Sequence, residues 1–234
     1  MHQKSNRLLD ALPEDTRRAV MSRLIYKELT QHHVLFDVRD LVSEVHFPLD
    51  AVVSLVIPLA NGDAIQSAMT GRDGVIGAGA ALNGRVSLNR AIVQMNGHSL
   101  SCGIEDFKHI INNYPPVRAL VGAHEQVLFA QAQQSAACNI SHNLESRVAR
   151  WLLHIADLRG GDMLELTQEH LAEMLGARRT SLTVIAHTLQ EAGMIKYRRG
   201  RIQLTDVPAL RQTACECYEA VKRNYDAILQ SSNE

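Results

Sequence analysis

The stretch LTQEHLAEMLGARRTSLTVIAH, residues 166–187, decides the fold. Thr167 can cap a helix start, and Glu169 puts a carboxylate in the first turn, where the helix dipole favours it. Leu171, Met174 and Leu175 then give one apolar face. Ala172 supplies a small side chain where a second helix must cross closely. Gly176 lets the backbone reverse, because glycine alone enters the left-handed region without penalty. After it, Leu182, Ile185 and Leu189 form the buried stripe of a second helix. Two helices joined by a short turn are therefore predicted.

The opposite face of the second helix carries the chemistry. Arg178, Arg179, Thr180, Ser181 and Thr183 cluster at its N-terminal end, with His187 one turn further on. A bare basic helix end is commonly just a solvated surface, and the sequel decides against that. Gly193 closes the helix, and MIKYRRGRIQL, residues 194–204, reads as two short strands around a basic turn. Lys196, Arg198, Arg199 and Arg201 would then form a positive wing beside the helix. Arginine pairs with both O6 and N7 of guanine, short hydroxyls reach bases or phosphates, and a cationic wing suits phosphate. With Thr167 and Gln168 at the start of the first helix, these residues make a candidate surface for double-stranded DNA.

Upstream, Leu144, Val148, Trp151, Leu152 and Ile155 line one face of a helix, with Trp151 read as core, and Gly160-Gly161 closes it. Before it a long helix begins near Val117. Its apolar positions Val117, Leu120, Val121, Val127 and Leu128 recur at a spacing near 3.5, continuing through His124, Gln131, Ser135 and Cys138. Such a seam either covers its own domain or meets a second copy. Residues 139–141 read as a break and the site of a hinge. Between residues 34 and 102 short β-prone runs recur, at 45–47, 52–57, 64–69, 91–95 and 99–102. Asn61-Gly62 and Asn96-Gly97 stand between pairs of them as hairpin turns, which favours a sandwich or barrel. Residues 6–29 read as short amphipathic helices, with Ala19, Leu24 and Ile25 as an apolar face.

Bulk properties set limits. The 46% apolar and 21% charged composition of this 234-residue chain is that of an ordinary globular protein, so large-scale disorder is excluded. No apolar leader and no spanning segment is seen, so no membrane partner is expected. The four cysteines Cys102, Cys138, Cys215 and Cys217 include no CxxC pair, which suits reduced thiols and a cytoplasmic setting. Enzyme motifs are missing: Leu128 stands where a zinc-protease pattern starting at His124-Glu125 needs its second histidine, and neither GxSxG nor a Walker sequence occurs. The glycine-rich 71–79 segment lacks the spacing of a dinucleotide fingerprint. An enzyme is not expected.

These residues resemble the cyclic-AMP receptor protein and fumarate-nitrate-reduction regulator (CRP/FNR) superfamily of bacteria along nearly the whole chain. FPLDAVVSLV, residues 47–56, and GRDGVIG, residues 71–77, are similar to that family's barrel, and residues 144–204 to its winged helix. The resemblance implies an α+β fold: a cyclic-nucleotide-binding-type β-barrel of jelly-roll form, a long dimerisation helix and a C-terminal winged helix-turn-helix. The expected divisions are 1–115, 116–138 and 139–234. It further implies a transcription regulator that binds a palindromic operator as a homodimer, with RNA polymerase as a further partner. The dimer seam would then be Val117, Leu120, Val121, His124, Val127, Leu128, Gln131 and Ser135. Arg179 matches the family arginine that reads a guanine, and Ser181 a hydroxyl residue beside it. Thr180 replaces a family glutamate and Val184 a further arginine, so a different operator is expected.

The effector side matches less well. The family's cyclic-nucleotide binders hold ribose with a glutamate after a glycine, and phosphate with an Arg-Ser pair. Here the candidate effector pocket has Gly77 followed by Ala78, and Asn89-Arg90 as the later pair, with Arg90 able to reach a phosphate if the register slips by one. Losing the carboxylate leaves ribose hydroxyls unpaired at a cost of about 1–3 kcal/mol, so cyclic AMP is not expected as effector. An iron–sulfur cluster is not expected either, because no cysteine precedes Cys102. No cofactor and no metal site is predicted, and the effector is left unassigned. His124 is read as a neutral packing residue. Cys215 and Cys217 form a CxC pair on which two ligands alone make an incomplete metal site, so incidental thiols are expected. The rival reading is an effector-binding or protein-interaction module that no longer reads DNA; Arg178, Arg179 and the basic wing speak against it.

Overall fold

The computed structural model describes residues 5–84 and 86–230. Two short helices, α1 (Arg7–Asp10) and α2 (Glu14–Met21), lead into β1 (Ile25–Leu29), β2 (Val34–Phe36), β3 (Glu44–Pro48), β4 (Val52–Pro58) and β5 (Ala64–Thr70). The small helix α3 (Gly79–Asn83) precedes β6 (Arg90–Met95) and β7 (Gly97–Gly103), and α4 (Ile104–Asn113) closes this half. The strands form two antiparallel sheets, β1-β7-β3 and β2-β6-β4-β5. They enclose a core in which Leu29 of β1 meets Phe36, Val53, Leu55, Ala68, Ala91 and Val93. The arrangement is an open barrel of the expected jelly-roll type.

Two local expectations are corrected here. Residues 25–29 are a strand, because IYKEL pairs along its whole length with β7 and buries Leu29, while Ile25 stays 62% exposed. Pairing with a strand distant in sequence overrides a helical spacing that Leu24 and Ile25 also satisfy. Asn96-Gly97 is no hairpin turn, since β6 and β7 belong to different sheets. Gly97 is needed for another reason: a Cβ there would lie 2.4 Å from the backbone nitrogen of Ala51.

The long helix α5 spans Pro115–Ser141 and starts on two prolines, which suit a first turn whose N–H groups have no helical partner. It does not break at 139–141. The break is at His142 and Asn143, where the Asn143 side chain accepts from Ser146 N and caps α6 (Leu144–Arg159). Next come β8 (Met163–Leu164), α7 (Gln168–Met174), α8 (Arg179–Glu191), β9 (Ile195–Arg198), β10 (Arg201–Leu204), α9 (Val207–Thr213) and α10 (Cys217–Gln230). The C-terminal half does not hang free. Its core residues Trp151, Leu152, Ile155 and Leu158 join Val52, Val56, Met69 and Met95 of the barrel in one cluster. Trp151 Nε1 donates to Gln66 Oε1 of β5 at 3.1 Å. No described helix is long and apolar enough to cross a membrane.

Candidate nucleic-acid interface

The helix pair forms as its residues dictate. Thr167 caps α7, its Oγ1 accepting from His170 N at 3.2 Å. Leu171, Ala172, Met174 and Leu175 are buried against Leu182 and Leu189 of α8. Gly176 takes φ +59° at the turn, where an added Cβ would also press within 3.1 Å of Ile65 on the barrel. These buried contacts fix α8 and turn its other side outward. Arg178, Arg179, Thr180, Ser181, Thr183 and His187 are all exposed on that side. Arg178 is the backbone N-cap of α8 and makes no side-chain cap, so amide groups of the first turn lie beside these side chains.

The charges on this surface are loosely held. Arg179 lies 3.8 Å from Glu169, both side chains being about two-thirds or more exposed. His187 pairs with Glu191 at 3.3 Å one turn on. Gln168 is held in place by Thr183, whose Oγ1 donates to Gln168 Oε1 at 2.9 Å and thereby links the two helices. The wing pairs β9 with β10 in the register Arg201↔Arg198 through Leu204↔Ile195, and β10 also pairs with β8. Its two-residue turn is Arg199-Gly200, with φ +49° and +76°. Both central residues therefore adopt the positive φ of the hairpin turn that matches strand twist. Lys196, Arg198, Arg199 and Arg201 line one shallow depression with Met163 and Gln203. Arg201 also faces Glu165 at 3.4 Å.

The effector-side expectations divide. A cavity of about 290 Å³ in the barrel is lined by Gly77, Asn89, Phe36, Val42, Leu128 and the Glu125 carboxylate, among others. Ala78 is fully buried. Arg90 turns away from that cavity: Nε and Nη2 grip Asp37 Oδ1 and Oδ2 at 3.0 and 2.7 Å. Gly77 has a structural reason to be glycine, with φ +83° and Glu44 O only 2.7 Å from any Cβ. Glu125 is the polar group that sequence reading missed here. Burial raises its carboxyl above the usual range, against a hydrogen bond from the Gly79 amide.

On α5 the expected dimer seam is corrected. Val117, Leu120, Val121, His124, Val127, Leu128, Gln131 and Ser135 are all buried within the single chain. They face the chain's own barrel and C-terminal helix. Gln131, for example, accepts from Met69 N of β5 at 2.5 Å and donates to Met69 O at 3.2 Å. His124 accepts from Val75 N at 3.4 Å and lies 3.3 Å from the Thr70 hydroxyl, and burial alone lowers its pKa to about 4. It is a neutral core residue. The outward face instead carries Ala119, Gly122, Gln126, Phe129, Gln133, Ala136 and Ile140, with Phe129 66% and Ile140 89% exposed. Their alternating steps of three and four residues keep them on one side of the helix.

Residues 146–213 match the family described as the Crp-like helix-turn-helix domain. No curated protein matches the chain in sequence. Among solved structures, FixK2 from Bradyrhizobium japonicum is similar with a TM-score of 0.69 at 13% identity, covering 82% of this chain and 98% of that one. The c-di-GMP responsive global regulator CLP from Xanthomonas campestris gives 0.65 at 12% identity, covering 82% and 99%. A CRP/FNR-family transcriptional regulator from Thermus thermophilus gives 0.64 at 21% identity, covering 81% and 98%. Residues 146–213 are thus a Crp-like helix-turn-helix domain, and the chain as a whole shares the fold of a solved CRP/FNR-family regulator.

Proposed function

We propose that this regulator reads a palindromic operator as a homodimer whose chains pair through the outward face of α5. Phe129 and Ile140 supply the apolar anchors, and Ala119, Gly122 and Ala136 let the helices approach closely. Two copies of α8 then enter successive major grooves about 34 Å apart, one helical turn. Arg179 is the base reader, with Thr180, Ser181, Thr183 and His187 completing the groove face. Arg178, Lys196, Arg198, Arg199 and Arg201 hold phosphates, with Thr167 and Gln168 contributing from the start of α7. The protein works in the cytoplasm, and RNA polymerase is its further partner.

The observation that carries this reading is the exposed, loosely paired guanidinium of Arg179 on an α8 braced by α7 and flanked by a cationic wing. An effector would act at the barrel cavity. Neither cyclic AMP nor an iron–sulfur cluster is that effector. Buried Ala78 offers ribose no carboxylate, Arg90 is already gripped by Asp37, and Cys102 is the one cysteine of the barrel half.

Selection of bound fragments from genomic DNA with the purified protein tests the proposal. A twofold-symmetric motif with half-sites one turn apart is expected. Equal recovery of all duplexes at moderate salt, with cell metabolites supplied, would overturn it. The dimer is tested by sedimentation: Phe129→Glu is expected to sediment as a monomer, whereas a parent that is itself monomeric contradicts the pairing.

A further inference from the structure

Two pairs of metal-ligating residues, far apart in sequence, meet where α5 ends and α10 begins. Cys138 lies in the last turn of α5, and His142 is the extended C-cap whose backbone N–H bonds to Cys138 O, so the two meet where the helix ends. Cys215 and Cys217 flank the tight entry to α10. The three sulfurs and the imidazole nitrogen all lie within 4.8 Å of one another. Cys138 Sγ is 3.5 Å from Cys215 Sγ, and Cys217 Sγ is 3.7 Å from His142 Nδ1. A tetrahedral ion bound to sulfur at about 2.3 Å and to nitrogen at about 2.0 Å requires ligand–ligand edges of roughly 3.5–3.8 Å. These two separations match such edges, and the remaining ones, all within 4.8 Å, need close by no more than about an ångström.

The surroundings are arranged as a metal's would be. The outer nitrogen of His142, Nε2, faces the Glu216 carboxylate at 3.1 Å. That contact places the ring proton on Nε2 and leaves the Nδ1 lone pair facing the sulfurs, the carboxylate–histidine pairing found behind metal ligands. Gln134 Nε2 donates to Cys217 Sγ at 3.0 Å. The buried guanidinium of Arg150 lies close enough to Cys138 to act on it electrostatically. The three thiols otherwise pack as a separate small cluster, cut off from the large apolar cores. Packing alone accounts poorly for three converging sulfurs and an aimed imidazole. The sequence showed only the Cys215-Cys217 half of the set; the fold supplies the rest.

We propose that Cys138, His142, Cys215 and Cys217 bind one thiophilic divalent cation, zinc foremost, and so fasten α10 to the end of α5. Binding replaces three S–H protons, which leave to solvent, with three metal–sulfur bonds and one metal–nitrogen bond. The resulting site carries one negative charge, which Arg150 faces. Soft thiolates select zinc over magnesium or calcium, and four protein ligands close the coordination sphere, so the role is structural. It does not depend on which DNA the protein reads, or whether it reads any.

The test uses the full-length protein, reduced, stripped of metal by chelation and titrated with Co²⁺ and then Zn²⁺. One Co²⁺ per chain is expected, with thiolate-to-metal charge transfer and the intense visible absorption of tetrahedral cobalt, displaced by one equivalent of Zn²⁺. Zinc should also raise the melting temperature. Cys217→Ser should lose the cobalt spectrum, and Cys102→Ser should keep it. Because Glu216 is exposed, Glu216→Gln should fold normally and weaken zinc binding about 10–100-fold. A reduced parent that takes up no cobalt, a spectrum that survives Cys217→Ser, or a Cys138–Cys215 disulfide formed in place of metal uptake would each overturn the proposal.

Discussion

Arg90 in the barrel and Arg179 in the reader both stand beside an acid, yet they are held in opposite ways. Arg90 grips Asp37 with two parallel hydrogen bonds of 3.0 and 2.7 Å. Arg179 hovers 3.8 Å from Glu169 in open solvent. The same contrast runs through the two halves. Barrel polar groups such as His46 and Ser54 are buried among fixed partners, whereas Thr180, Ser181, Arg198 and Arg199 are exposed. A guanidinium already satisfied has little to gain from a phosphate; a loosely paired one gains a partner and releases counterions. Buried groups in either half therefore speak through stability, and exposed reader groups through affinity.

The largest expected effect sets the two against each other by pH. Burial lowers the pKa of His46, His124 and His170 to about 4 and that of His154 to about 3. Since the unfolded chain takes up these protons near pH 6.5, stability is fully present above that value and is lost as the pH falls towards 4. The fully buried His124 alone accounts for on the order of 3 kcal/mol. Denaturant midpoints measured from pH 7 to 4.5 should fall steeply, and identically in Arg179→Ala. A flat curve would break the contrast by showing those rings to be solvated or charged.

Arg179→Ala comes next. It should lose about 1–3 kcal/mol of binding to the preferred operator and relax its specificity, with the melting temperature unmoved. Unaltered preference in a binding titration removes Arg179 from base reading. Arg199→Ala should instead weaken binding to every duplex by a smaller factor and shorten the salt slope by about one ion; equal slopes for variant and parent contradict a phosphate contact. Smallest of all, Arg90→Ala should cost no more than about 1 kcal/mol of stability, its pair being about one-third exposed, and leave operator affinity alone. A change in affinity there would show that barrel charges reach the DNA.

Much of this was legible in advance, for a local reason. Residues 166–204 carry their fold in short-range signals: the Thr167 cap, the Gly176 reversal, the buried Leu182 and Leu189, and the Arg199-Gly200 turn. Each constrains neighbours a few positions away. What was misread depends on partners distant in sequence. Residues 25–29 became a strand only through β7, and Gly97 is explained by the backbone of Ala51. The long helix showed its limit most clearly. Two faces of α5 carry apolar residues, and hydrophobicity picks out the stronger without revealing that this chain's own strands occupy it. Only the Cys215–Cys217 pair was visible in the sequence, and folding brings Cys138 and His142 within its reach.

The hydrogen bond from Trp151 to Gln66 has a consequence for how signals travel through this protein. It lies in a hydrophobic cluster to which barrel and reader both contribute, so swinging one half from the other would strand an indole N–H and wet Val52, Val56 and Leu152. Each protomer is accordingly braced as a unit. In the proposed dimer the adjustable joint would then be the α5–α5 contact, where a slight change in helix crossing is enough to alter the distance separating two distant fingertips on the DNA.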